Sequence, residues 1–167
     1  RNLGDLGERF INRFQPSLEA QICNLADEIA YNNHDIDDGL RSGLISFELL
    51  QEVSLFQRNL DRVKSLYKDT GNRRLVHETI RHMINTLVCD LIETTTNNIS
   101  RCQPRTLEDV RQAGVLVSFS EGMRDAQREM KHFLRKNLYQ HYQVLRMTRK
   151  AQLIIGELFS AFISDPR

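Results

Sequence analysis

Apolar residues recur at three- and four-residue spacing along almost the whole chain, and little interrupts them. Only eight Gly and three Pro occur in 167 residues, too few for a turn-dense all-β chain or a Pro-rich linker. The spacing predicts a short amphipathic helix carrying Leu6, Phe10, Ile11 and Phe14, ended by Pro16. Ser17 is placed to cap a helix through about Asn33. Asp35, Asp37, Asp38, Gly39 and Gly43 read as a turn-rich break before a short helix from Ser46 to about Val53. Phe56, Leu60, Val63 and Tyr67 form the next stripe, closed at Thr70-Gly71-Asn72, and a long helix runs from about Arg74 to Ile99. Thr106 with Asp109 three residues on is close to a capping box. Gly114–Phe119 is the one strand-like run. Without a partner strand it reads as a buried extended link. Ser120 then caps a helix to about Tyr142, and a last helix to Ile163 carries Ala151, Ile154, Leu158 and Phe162 on one face. The expected fold is all-α, a non-bundle arrangement of six to eight helices forming a single helical region over 1–167.

Composition narrows the functional classes. The longest uncharged apolar run, Gly114–Ser120, is far short of the ~20 residues a membrane span needs, so no membrane role is expected. Net charge is +1, but residues 1–100 carry 11 basic and 15 acidic side chains while residues 101–167 carry 12 and 7. Such asymmetry suits one face turned to an anionic ligand, or simply two differently solvated surfaces. Cys23, Cys89 and Cys102 form no C-x-x-C pair, which points to a reducing, cytoplasmic setting. The chain opens on Arg1 rather than Met, as a segment of a longer protein would.

The helix from Ser17 is the most informative. At about 100° per residue, Leu18, Ile22, Leu25 and Ile29 lie on one stripe, with Asp27 on the opposite face. Around Asp27 stand Ala20, Cys23, Asn24, Ala30 and Tyr31, small and amphipathic company for a carboxylate. That pattern predicts a helix buried on both sides, with Asp27 pointing into an enclosed space toward a cation, a metal or a proton. A solvated acid on a mildly apolar face is the competing reading. Asp27, Tyr31 and Asp35 are spaced by four and share one ridge if the helix persists. Two surface acids near a helix end fit the same spacing.

The stretch from Ser17 to Leu40 carries a resemblance. Its core, Leu25-Ala26-Asp27-Glu28-Ile29-Ala30-Tyr31 followed by His34-Asp35 and Asp38-Gly39, resembles the deoxynucleoside triphosphate triphosphohydrolases, in the dGTPase-like branch of the HD-domain phosphohydrolases. Looser likenesses at Arg81-His82-Met83-Ile84, Asp90-Leu91-Ile92, Phe119-Ser120 and the Phe133–Tyr139 helix extend it over most of the chain. The resemblance implies an HD-domain-like helical fold around a divalent metal, Mg or Mn, that cleaves a dNTP to deoxynucleoside and triphosphate. It implies that Asp27 is the last metal ligand and that Tyr31 and Asp35 contact the deoxyribose, Asp35 through the 3′-hydroxyl. It also implies a homo-oligomer.

The departure from the family pattern is equally informative. The family's first His, its His-Asp pair and its catalytic residues would all precede residue 1, and His34-Asp35 follows the last ligand instead of leading to it. The chain is therefore expected to be the C-terminal portion. Residues 17–40 would carry the last ligand, residues 73–167 the C-terminal helical part, and no catalytic residue would lie within it. Alone it should be inactive, needing the N-terminal part of the same protein as partner. His77 and His82, five apart, cannot share a metal on one helix, and His132 and His141 lie on opposite faces. Arg124, Arg128, Lys131 and Arg135 make a basic stripe at 4, 3, 4 spacing. It could attract triphosphate, a regulatory nucleotide or nucleic acid, or be a solvated face neutralised by Glu121, Asp125 and Glu129. The alternative function is a non-catalytic helical interaction or regulatory domain.

Overall fold

Eight α-helices and one π-helical turn make up the regular structure of a computed structural model that describes residues 4–67 and 71–166. They are α1 (Gly4–Ile11), α2 (Leu18–Arg41), α3 (Phe47–Leu50), α4 (Ser54–Leu66), α5 (Asn72–Cys102), α6 (Leu107–Gln112), α7 (Glu121–Leu134), the π-helical turn Arg135–Tyr139, and α8 (Tyr142–Ser164). The fold is all-α. The expected closure at Thr70 lies outside the described residues.

Local cap chemistry starts most of these helices. The Ser17 hydroxyl accepts from the backbone N–H of Ala20, Ser46 from that of Leu49 and Ser120 from that of Met123. Thr106 and Asp109 exchange both bonds of a capping box. α4 has no side-chain cap of its own. Glu129 on α7 fills that role, its carboxylate accepting from the backbone N–H of Ser54 at 3.1 Å and from the Ser54 hydroxyl.

The core lies where α2 and α4 pack on the long α5 and α7 packs against both α2 and α4. Ile36, Phe56, Leu60, Met83, Leu87, Met130 and Leu134 meet there, none more than 1% exposed. Burying each such side chain stabilises the fold by about 1.5–3 kcal/mol before chain entropy is counted.

The predicted stop near Asn33 is not there, because α2 runs eight residues further, to Arg41. Gly39 serves close approach rather than a turn: a Cβ on it would sit 2.6 Å from Cδ1 of Ile45, which folds back over the helix. Arg41 Nε lies 3.4 Å from the Asp37 carboxylate one turn earlier. The turn comes after the helix, at Gly43 with φ +73°.

The inward face of α2 also differs from the predicted stripe. Leu25 is half-buried and Ile29 buried, but Ile22 is 46% exposed and Gln21 is buried in its place. The Gln21 side-chain oxygen accepts from the backbone N–H groups of Leu116 and Val117, each at 3.2 Å, and its amide donates to the Pro16 carbonyl at 3.0 Å. These bonds hold the extended link after α6, as do two from the Asn98 amide, to the Leu116 carbonyl and the Ser118 hydroxyl. The link is buried at Leu116, Val117 and Phe119, as expected of an unpaired extended run.

One further expectation changes. The helix from Ser120 does not run unbroken to Tyr142, but widens into the π-helical turn and ends at Tyr139. The last helix buries none of its residues: Ile154, Leu158 and Phe162 are 45–68% exposed. Among the described residues no helix is long and apolar enough to cross a membrane.

Candidate functional site

Because α2 persists, Asp27, Tyr31 and Asp35 do follow one another along a single helix. Asp27 and Tyr31 open onto a groove of about 1030 Å³ between α2 and the α7–π-turn wall. Across it stand Lys131 and Arg135, with Tyr139 and Gln140 at one end. The groove has the capacity of a small-molecule site, with a few polar groups converging on it.

Asp27 is exposed, not enclosed on both sides as its small neighbours suggested. Those neighbours (Cys23, Asn24 and Ala30) are exposed too, lining an open wall of α2. Among the described residues Asp27 takes part in no hydrogen bond or ion pair. Its carboxylate is thus a free hard-oxygen donor, fit for one position in the shell of a divalent cation. It cannot hold such an ion alone, and no cluster of three or more His, Cys, Asp or Glu suited to a metal occurs among the described residues.

Asp35 is differently placed. It is half-buried, and its carboxylate accepts a hydrogen bond from the Tyr139 phenol, so it stands behind Tyr139 rather than on the open wall. Burial raises the Tyr139 phenol well above its ordinary range, and the hydrogen bond to Asp35, with the charge behind it, pushes the same way. Tyr31 adds a smaller effect in that direction, so the two phenols and one carboxylate form one connected group.

The basic stripe is divided by its surroundings. Lys131 Nζ lies 2.6 Å from the Glu28 carboxylate on α2, an ion pair that bridges the groove at one end. Arg128 pairs with Asp125 at 2.6 Å, whereas Glu129 turns away to cap α4 and neutralises none of the stripe. The 4, 3, 4 spacing identified these cations, but only the tertiary packing of α7 on α2 sets two of them opposite Asp27. In the sequence Tyr139 is marked only as the end of the Phe133–Tyr139 likeness and Gln140 by nothing, because their approach to the groove depends on the π-helical turn.

Comparisons with known proteins bear on this arrangement. Residues 117–167 match the family described as the phosphohydrolase-associated domain, which covers the Lys131–Tyr139 wall and α8. The full length of the chain is 56% identical to a deoxyguanosinetriphosphate triphosphohydrolase-like protein of Bordetella pertussis, of which it spans 44%. This chain belongs to the deoxyguanosinetriphosphate triphosphohydrolase-like family. Similar proteins of the same description occur in Ralstonia nicotianae, 54% identical over 99% of this chain and 43% of that protein, and in Thiobacillus denitrificans, 52% identical over 99% of this chain and 44% of that protein. The chain thus spans less than half the length of these triphosphohydrolase-like relatives. The likeness runs through α2 as well as the α7 wall, so both sides of the groove fall within it.

Proposed function

We propose that this chain supplies one side of the active site of a metal-dependent dNTP triphosphohydrolase, which hydrolyses a dNTP to deoxynucleoside and inorganic triphosphate. The observation that carries the reading is the free Asp27 carboxylate and Tyr31 facing Lys131 and Arg135 across one groove. Membership of the triphosphohydrolase-like family supports it. In this reading Asp27 contributes one of the ligands of a divalent ion, Mg or Mn. The remaining His and His-Asp ligands come from sequence outside this chain, which is the C-terminal portion of the enzyme. When bound, such an ion polarises a phosphoryl oxygen and lowers the pKa of its water.

The chain's own residues bind and orient. Lys131 and Arg135 offset the negative charge of the triphosphate. Tyr31 packs beside the sugar. Asp35, engaged by the Tyr139 phenol behind the open wall, has lone pairs left for the 3′-hydroxyl of a sugar that reaches past that phenol. The three free cysteines support a reducing, cytoplasmic setting, and the exposed apolar residues of α8 support a homo-oligomer.

The test is the full-length protein carrying Asp27→Asn. Triphosphate release should fall by about a hundredfold or more, with lower metal occupancy. Compared metal-free, the variant and the wild type should share one thermal midpoint, since a carboxylate with no partner among this chain's described residues contributes little to folding. Wild-type turnover in that variant would overturn the assignment. The 167-residue chain alone should release no triphosphate.

A further inference from the structure

A second groove, of about 400 Å³, lies on the other side of the Glu28–Lys131 ion pair, between α2, the extended link and α7. Its wall includes Leu25 and Val115, and its polar lining includes Arg124, Gln127 and Arg128. Gln127 is only 3% exposed. Its side-chain oxygen accepts from the Asn32 amide at 3.5 Å, which turns its own amide nitrogen the other way. That nitrogen is buried and has no hydrogen-bond partner among the described residues. A buried donor without an acceptor carries a desolvation penalty that folding must absorb, and an acceptor arriving from outside the chain relieves it.

The charges nearby agree on what that acceptor is. Arg124 has no carboxylate partner among the described residues. Arg128 shares its charge with the exposed Asp125, leaving other guanidinium N–H groups for a ligand. Glu28 is the one acid in the lining, and Lys131 neutralises it at 2.6 Å. What remains is a set of donors and a net positive charge, with apolar surface beside them. The dianion of a phosphate monoester presents only acceptor oxygens, free hydrogen phosphate presents three beside one hydroxyl, and both match guanidinium geometry.

We infer that this second groove binds a phosphate group, either free or carried by a nucleotide, with the Gln127 amide and the Arg124 and Arg128 guanidiniums as its donors. In a nucleotide the base would lie against Leu25 and Val115. The site is separate from the Asp27 groove and does not depend on the hydrolytic reading.

The test is calorimetric titration of the metal-free chain with inorganic phosphate, and in a second arm with deoxyguanosine monophosphate. Saturable binding is expected, weakened about tenfold or more by Arg124→Ala and by Gln127→Leu. Arg124 is exposed, so its variant keeps the fold even if the Gln127 variant does not. Tighter binding of the nucleotide carries the proposal with a nucleotide as ligand, and equal binding carries it with the free anion. No saturation in either arm overturns it. So does binding that Arg124→Ala leaves intact, or binding lost in Arg135→Ala, because Arg135 lines only the first of these two grooves.

Discussion

The phenol of Tyr139, at the end of the π-helical turn, donates to the carboxylate of Asp35 on α2, 104 residues away in sequence. This contact joins the two walls of the Asp27 groove. Tyr139→Phe removes the donor and leaves a half-buried carboxylate short of a partner. Stability should fall by about 1–2 kcal/mol, read from urea unfolding at neutral pH.

The same contact sets a pH dependence. The Tyr139 phenol is raised above its ordinary value of 10.0 in the folded chain. Above that value the unfolded chain releases the proton while the folded chain keeps it, so the contribution present below pH 10 is lost as pH rises further. The wild-type chain should lose stability on this limb faster than Tyr139→Phe, whose curve should lack that slope. Parallel alkaline limbs would show that Tyr139 ionises alike in both states.

Glu28 and Lys131 make a close ion pair, but their side chains are 27% and 50% exposed. Solvent screens such a pair, so Lys131→Ala should change the unfolding free energy by less than about 1 kcal/mol. In the full-length protein the same substitution should raise KM for the dNTP, because the cation faces the groove proposed for the triphosphate. A large loss of stability with unchanged KM would make Lys131 a structural residue.

Asp90 on α5 accepts from the backbone N–H of Ser120 at 2.9 Å and from its hydroxyl at 2.6 Å, tying the start of α7 to the core. Two charge-assisted bonds at one helix start make Asp90→Ala expensive, at about 2–3 kcal/mol. Chemical denaturation should show it as a lower midpoint with little change in slope.

Every residue from 145 to 166 is exposed. Ending the chain after Val144 should therefore shift the unfolding free energy by less than about 1 kcal/mol, measured by urea titration of the shortened chain. A collapse of the fold would mean that α8 holds contacts its exposure does not suggest.

What the sequence made legible was local. Ser17, Thr106 with Asp109, and Ser120 start helices because cap chemistry acts within one turn, and each does so here. The length of α2 was not legible, since Gly39 looks the same whether it bends the chain or admits Ile45, a residue it meets only through folding. Gln21 displaces Ile22 from the buried face because the link 95 residues away needs an acceptor. A periodicity argument has no access to that demand. For the candidate site, the ridge of Asp27, Tyr31 and Asp35 could be read along one helix, and the basic stripe along another. That they face each other, that Asp27 is open to solvent and that Asp35 is engaged by Tyr139 are consequences of packing.

The wide turn at Arg135–Tyr139 holds one more residue than an α-helical path would take. A turn of this kind takes up its extra residue locally, so the segments on either side keep their helical phase. Excising one residue there would close the segment into an ordinary helical turn and leave the cations of α7 where they are. Length in this segment is therefore forgiving, and it is the bond from the Tyr139 phenol to Asp35 that seats the aromatic end of the groove.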